Sequence, residues 1–210
     1  MRSWFSLLVG QDLSCTKRDR LLFENLQIEV GSGQFWYVKG PNGAGKTSLL
    51  RILANLTSPT EGQLTWQGEP FNQAGRNYHK DMVYVGHKTG LNQQLSAVEN
   101  VLYWSALNGL NITSAYDVLA ELGLVGLEDM PIRQLSEGQQ RRVALTRLWI
   151  KEAKIWILDE PYAALDVLGI QLLNTKIDNF IESGGSVVMT SHQEPLVKSP
   201  IQLLTLAYQL

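Results

Sequence analysis

Gly40-Pro41-Asn42-Gly43-Ala44-Gly45-Lys46-Thr47 is the stretch that decides the fold. It fits the phosphate-loop pattern G-x-x-x-x-G-K-[ST]. The apolar run Phe35-Trp36-Tyr37-Val38 precedes it, and Ser48-Leu49-Leu50-Arg51-Ile52-Leu53 follows with helical character. The motif needs this strand–loop–helix setting. Its glycines let backbone N–H groups converge on phosphate oxygens without a Cβ in the way. The positive end of the following helix faces the same anion. Lys46 is expected to reach the β- and γ-phosphates, and the Thr47 hydroxyl to bind Mg²⁺. Gly40, Pro41, Asn42, Gly43, Ala44, Gly45, Lys46, Thr47 and Ser48 are therefore the candidate nucleotide-binding residues. A glycine-rich turn with a surface lysine is the plainer alternative, and the flanking runs speak against it.

The rest of the composition bounds the answer. With 210 residues, 44% of them hydrophobic, the chain has enough apolar content for one globular unit spanning 1–210. A formal charge of −2 gives no global pull toward nucleic acid. Cys15 is the only cysteine, which excludes an internal disulfide and a cysteine-based zinc cluster; it reads as a small core residue. The apolar start Trp4-Phe5-Ser6-Leu7-Leu8-Val9 is too short for a secretory signal. There is no run of about 20 apolar residues, so the chain by itself is not expected to cross a bilayer.

Further along, Leu26-Gln27-Ile28-Glu29-Val30 alternates as a half-buried strand does, and Gly31-Ser32-Gly33 turns the chain. Residues 55–65 read as a loop into a short strand, 63–66. Met82-Val83-Tyr84-Val85 reads as another strand. Apolar spacing predicts helices over 97–107, 114–122 and 139–150. Ile155-Trp156-Ile157-Leu158 and Ser186-Val187-Val188-Met189-Thr190 have the pattern of strands buried on both faces. A helix over 167–181 lies between them, and a last strand is expected near 203–206. The expected layout is an α/β core, about 1–86 and 151–210, interrupted by a helical segment over about 87–150.

Two more groups carry chemistry. The strand 155–158 ends in Asp159-Glu160. Asp159 is placed to hold Mg²⁺, directly or through water. Glu160, one residue on, points elsewhere and is the natural general base for a water. Leu135-Ser136-Glu137-Gly138-Gln139 opens a helix, with Ser136 as a good N-cap and a second anion cradle at its start. Taken alone, the next residues Arg141 and Arg142 read as surface charges.

In this order, the phosphate loop, L-S-x-G-Q, four apolar residues with D-E, and a histidine resemble the ATP-binding-cassette (ABC) ATPases over roughly residues 7 to 206. The resemblance implies a P-loop NTPase with a mixed sheet core, a helical subdomain and an N-terminal antiparallel β subdomain. Residues 135–139, with Gln139, are similar to the family's signature motif, though Glu137 stands where glycine is commoner. Ala163-Ala164-Leu165-Asp166 resembles the D-loop. His192 resembles the switch histidine, which contacts the γ-phosphate and is catalytic beside Lys46 and Glu160. Counting back from Ser96-Ala97-Val98-Glu99-Asn100 puts His87 where the family usually has glutamine. The aromatic that stacks on adenine in these proteins is missing from Cys15-Thr16-Lys17-Arg18-Asp19-Arg20, which leaves Lys17 or Arg18 to lie over the base. By the same resemblance ATP and Mg²⁺ are the cofactors, and the ATP site forms between two copies of the chain. Ser136 and Gly138 then act from the second copy of a C2 homodimer.

Val85-Gly86-His87-Lys88-Thr89-Gly90, the run from Gln139 to Trp149 and Leu64-Thr65-Trp66-Gln67-Gly68 are similar to the haem-exporter ATPases of cytochrome c maturation. That resemblance implies a peripheral protein at the cytoplasmic face of the inner membrane. Its partners would be a membrane-spanning CcmB-like subunit and CcmC-, CcmD- and CcmE-like haem-handling proteins. An exporter ATPase for another cargo shares the same chemistry. A nucleic-acid-bound relative is disfavoured: no heptad run separates Lys46 from Asp159, and the charge is near neutral. A module that no longer hydrolyses ATP finds no support, since Lys46, Asp159, Glu160 and His192 are all present.

Overall fold

Alternation at the start of the chain builds a hairpin. In a computed structural model that describes residues 6–208, β1 (Ser6–Lys17) pairs antiparallel with β2 (Arg20–Gly31). Trp4 and Phe5 of the apolar start lie outside the described residues. The two-residue turn Arg18-Asp19 has φ values of 49° and 60°, the left-handed pair that matches strand twist in a tight hairpin. β4 (Glu61–Trp66) pairs with the other edge of β1, and β5 (Glu69–Pro70) with β4. The resulting antiparallel sheet has the order β2-β1-β4-β5. Cys15 is only half-buried on β1, at the margin of the core rather than inside it.

A second sheet is parallel throughout, in the order β6-β7-β8-β3-β9. Its strands are β3 (Phe35–Lys39), β6 (Met82–Val85), β7 (Ile155–Asp159), β8 (Ser186–Thr190) and β9 (Ile201–Thr205). The mixed sheet content thus divides into one antiparallel and one parallel sheet. Every residue of β7 and β8 is buried, as expected of apolar runs covered on both faces. Successive side chains of β7 enter different cores. Ile155 and Ile157 pack with Leu49, Leu50 and Leu53 of α1 (Lys46–Leu53). Trp156 and Leu158 pack with Leu173, Ile177 and Ile181 of α7 (Val167–Glu182). The Trp156 ring lies flat on Phe180, 3.7 Å between centroids.

Residues 67–81, unassigned from sequence, supply β5 and α2 (Phe71–Asp81). Only Ala74 and Tyr78 of this helix are buried. Tyr78 sits between Trp66 and Phe71, and its hydroxyl donates to the Leu53 carbonyl at 2.6 Å.

The helical segment holds α3 (Ala97–Leu107), α4 (Ala115–Glu121), α5 (Glu137–Leu145) and α6 (Arg147–Ile150). Ser96 and Ser136 each form a reciprocal capping box, with Glu99 and Gln139. The single helix expected over 139–150 is corrected in two ways. It begins at Glu137, and it breaks at Thr146. There the Thr146 hydroxyl turns back to the Val143 carbonyl at 2.7 Å, a local bond that competes with the helical ladder.

Because β3, β6, β7, β8 and β9 run in one direction, their carboxyl ends share an edge. There the chain enters the 40–47 loop, the His87 loop, Glu160, His192 and residues 206–208. Ligands bind along that edge of a parallel sheet.

Candidate functional site

The loop after β3 is shaped by backbone that only glycine adopts freely. Gly43 and Gly45 have φ values of 86° and 100°. A Cβ on Gly45 would stand 3.0 Å from Leu22 Cβ and 3.2 Å from the Phe23 ring, whereas one on Gly43 would meet nothing nearer than the Tyr208 ring edge at 4.0 Å. The loop therefore backs onto the hairpin and is open on its other side. Gly45 is the N-cap of α1, and no side chain caps that helix. Side chains do cap α3, α4, α5 and α7. The first-turn N–H groups of α1 are left for an anion, with no acidic residue in that turn to compete. Lys46 Nζ spans the same loop, 2.7 Å from the Gly40 carbonyl and 3.3 Å from that of Pro41.

A cleft of about 380 Å³ opens over the loop. Asn42, Gly43, Gly45, Lys46, Thr47 and Ser48 line it from the loop, Lys17 and Leu22 from the hairpin, and His87, Glu160 and His192 from beyond the carboxyl ends of β6, β7 and β8. Most of the candidates read from sequence thus converge on one space. Gly40, Pro41 and Ala44 belong to the loop without lining the cleft; Ala44 is buried beneath it. Arg18 occupies the exposed hairpin turn and does not line the cleft either. Ser136, Gly138 and Gln139 lie apart from this cleft, with Gly138 against the D-loop: a Cβ there would fall 2.5 Å from the Ala164 carbonyl oxygen. The Ser136 hydroxyl oxygen accepts the Gln139 amide at 3.2 Å, so it already serves as the cap of α5.

The two acids diverge as the sequence suggests. Asp159 is 1% exposed. Its Oδ1 accepts from the Thr190 hydroxyl at 2.8 Å, and its Oδ2 is buried with no partner among the described residues. A buried carboxylate oxygen without a partner is a costly arrangement unless something else meets it. With the Thr47 hydroxyl on the cleft floor, the donors on offer are oxygens, which fit a hard cation such as Mg²⁺. Among the described residues no group of three His, Cys, Asp or Glu could hold a metal alone, so water and phosphate oxygens would complete the shell of a bound cation.

Glu160 has a φ of 51°, strained for a residue with a side chain and typical of functional positions. Its backbone is held on both sides. The amide donates to the Thr190 hydroxyl at 3.0 Å, and the carbonyl accepts from Arg141 at 2.7 Å. Its carboxylate accepts the His192 amide at 3.0 Å and lies 3.7 Å from the His192 ring nitrogen Nε2. The histidine segment is fixed in turn from β3. The Tyr37 hydroxyl donates to the Ser191 carbonyl at 2.9 Å, with that of Gln193 at 3.4 Å, and Lys39 pairs with Glu194 at 2.6 Å. Burial pushes the Tyr37 phenol up, Lys39 opposes this, and Glu160 and Glu194 add to it, so Tyr37 stays a donor.

Arginines bind the helical segment to this edge. Arg141 is a surface charge only when read alone; in the fold it is 3% exposed. It donates to the carbonyls of Gly86, at 2.8 Å, and Glu160. Burial lowers its pKa, and the nearby Asp159 and Glu160 oppose that shift. Arg147 donates to the Thr89 carbonyl at 2.8 Å, and burial beside Arg141 brings it down to about 10. The loop that carries exposed His87 is therefore gripped at Gly86 and at Thr89. Arg142 joins α5 to Asp166, the N-cap of α7.

The profile of the family described as ABC transporter matches residues 23–163. The cytochrome c biogenesis ATP-binding export protein CcmA of Idiomarina loihiensis is 48% identical over 89% of this chain and 86% of its own length. The CcmA of Haemophilus influenzae is 43% identical over 94% of this chain and 93% of its own, and that of Escherichia coli K12 is 42% identical over 89% of each. Among solved structures, a dimeric ATP-binding cassette in a post-hydrolysis state with ADP and Pi has a TM-score of 0.85, covers 97% of both chains and is 23% identical. At that identity the likeness bears on the fold.

Tyr37→Phe removes the hydroxyl that holds the backbone beside His192. Amide exchange over 191–194 should then accelerate about tenfold, the loss of roughly one hydrogen bond. Hydrogen–deuterium exchange read by mass spectrometry checks this, and unchanged exchange would refute the clamp.

Proposed function

The chain belongs to the ABC transporter family, among the CcmA ATP-binding export proteins, and from that premise we propose that it hydrolyses ATP to drive the haem-export step of cytochrome c biogenesis. One observation carries the reading. Lys46, Thr47, Glu160 and His192 surround a single cleft, and a buried Asp159 oxygen one residue from Glu160 has no partner among the described residues.

The α1 amides and Lys46 bind the β- and γ-phosphates. Thr47 and Asp159 would hold Mg²⁺, which when bound would supply charge neutralisation for the transferred phosphoryl group. Glu160 takes the proton of the attacking water. Its backbone restraints and the His192 amide fix where its carboxylate can stand. His192, exposed at the same end, reaches the γ-phosphate. Ser136, Gly138 and Gln139 of a second copy close the site across a C2 pair, so ATP becomes part of the dimer interface. Loss of the γ-phosphate after hydrolysis then shifts the pair toward its open state.

The motion leaves through the helical segment. A groove of about 360 Å³ between Leu91, Tyr103, Trp104, Leu107 and Arg147 adjoins the His87 loop. Leu107 is 68% exposed beside it. A CcmB-like membrane-spanning subunit docks here, with CcmC-, CcmD- and CcmE-like proteins handling haem beyond it. Among the described residues no helix is long and apolar enough to cross a membrane. The chain on this reading is a peripheral subunit at the cytoplasmic face of the inner membrane.

Purified from membranes, the chain should bring down a membrane-spanning subunit together with haem; recovery of a transporter for another cargo would overturn the haem assignment. Glu160→Gln should lower turnover by about 10²–10⁴-fold, the usual share of a general base, while ATP holds the dimer closed. Steady-state ATPase and size-exclusion measurements decide this, and near-native turnover would remove Glu160 from the role.

A further inference from the structure

Three contacts tie the segment after β9 to the phosphate loop. The Leu206 amide donates to the Lys39 carbonyl at 2.8 Å. The Leu206 carbonyl lies 2.6 Å from where a Cβ on Gly40 would stand. The Tyr208 hydroxyl donates to the carbonyl of Asn42, inside the loop itself. Tyr208 is nevertheless 47% exposed, so its ring is not spent on packing. Arg20 stands over that ring, with its guanidinium carbon 5.4 Å from the centroid. Arg20 is also the cross-strand partner of Lys17, which lines the cleft.

The direction of a bound triphosphate follows from the cleft. β8, which leads to His192, and β9, which leads to Tyr208, flank β3 on opposite sides, so Glu160 and His192 stand on one side of the phosphate loop and residues 206–208 on the other. The ribose and base therefore leave past Lys17, toward Arg20 and Tyr208. The hairpin supplies no aromatic there, but the far end of the chain brings one. The geometry points to Tyr208 and Arg20 as the nucleobase subsite, a planar ring and a planar guanidinium held together against the phosphate loop for adenine to stack on. Arg20 and Tyr208 lie outside the lining of the cleft, as Arg18 does, but Arg20 pairs with Lys17, which lines it, and Tyr208 bonds to Asn42 on its floor. The hydroxyl bond to Asn42 ties the same ring to the phosphate loop.

This inference rests on the ATP reading of the cleft, so its test separates base from phosphate. The full chain is titrated with ATP and with inorganic tripolyphosphate, which has no base. Tyr208→Ala should weaken ATP about tenfold, the size of one lost base stack, and leave tripolyphosphate within about twofold. Tyr208→Phe keeps the ring and should keep ATP affinity; Arg20→Ala should behave like Tyr208→Ala. Equal weakening of both ligands would make Tyr208 a brace for the loop and overturn the subsite, as would unchanged ATP affinity in Tyr208→Ala. A parent chain that binds neither ligand would overturn the nucleotide reading itself.

Discussion

The site depends on how two neighbouring carboxylates part at the end of β7. In a regular strand adjacent side chains already face opposite ways. Here the second residue also enters left-handed backbone, so Asp159 stays inside the protein and Glu160 swings to the cleft. That conformation is unfavourable on its own and persists only where surrounding groups over-determine it. The Thr190 hydroxyl does this from β8. It receives the Glu160 amide and donates to Asp159. One hydroxyl thus orders both acids, and β8 must lie beside β7 for it to do so. The strand order β7-β8-β3 sets the spacing between the acids and the phosphate loop.

Arg141 completes the restraint from the opposite side. Placing a guanidinium in the interior is unfavourable unless its donors are met, and they are met by two backbone carbonyls at ends of different strands. The same side chain therefore senses the position of the His87 loop and that of Glu160. Arg147 extends the grip to Thr89 and Gly90. Movement of the helical segment cannot leave the cleft edge untouched, because α5, α6 and the two loops share these bonds. Such a shared set of discrete contacts is the physical form that coupling takes in a packed protein.

Much of this was legible because the relevant signals are local. The phosphate loop is a contiguous motif with the right flanks. Ser96 and Ser114 mark the starts of α3 and α4 within a residue, and the unbroken apolar runs of β7 and β8 announce strands covered on both faces. Non-local features were not legible. Helix α2 buries just Ala74 and Tyr78, too sparse a stripe to stand out. Thr146 looks like any helical residue until its hydroxyl finds Val143. Arg141 looks exposed because its partners lie 55 and 19 residues away. Its spacing of four from Leu145, on the buried side of α5, was the one available hint. Tyr37 reads as an apolar strand residue, and its hydroxyl partner is 154 residues distant. Lys17 or Arg18 was expected at the base because the segment 15–20 lacks the aromatic that the family places there; the tight turn that joins β1 to β2 takes Arg18 away, while Lys17 lines the cleft.

The placement of β3 also bears on how the protein is made. Both of its neighbours in the sheet, β8 and β9, come from the far end of the chain. The phosphate loop is synthesised early, yet Lys39, Gly40 and Asn42 meet their contacts only once residues 206–208 have been added. On the ribosome the β1–β2 hairpin can form as it emerges, whereas the strand behind the loop has no sheet partner until β8 and β9 have been made. Chains fold as their contacts become available during synthesis. A chain interrupted before β8 carries the whole nucleotide motif without the two strands that flank it.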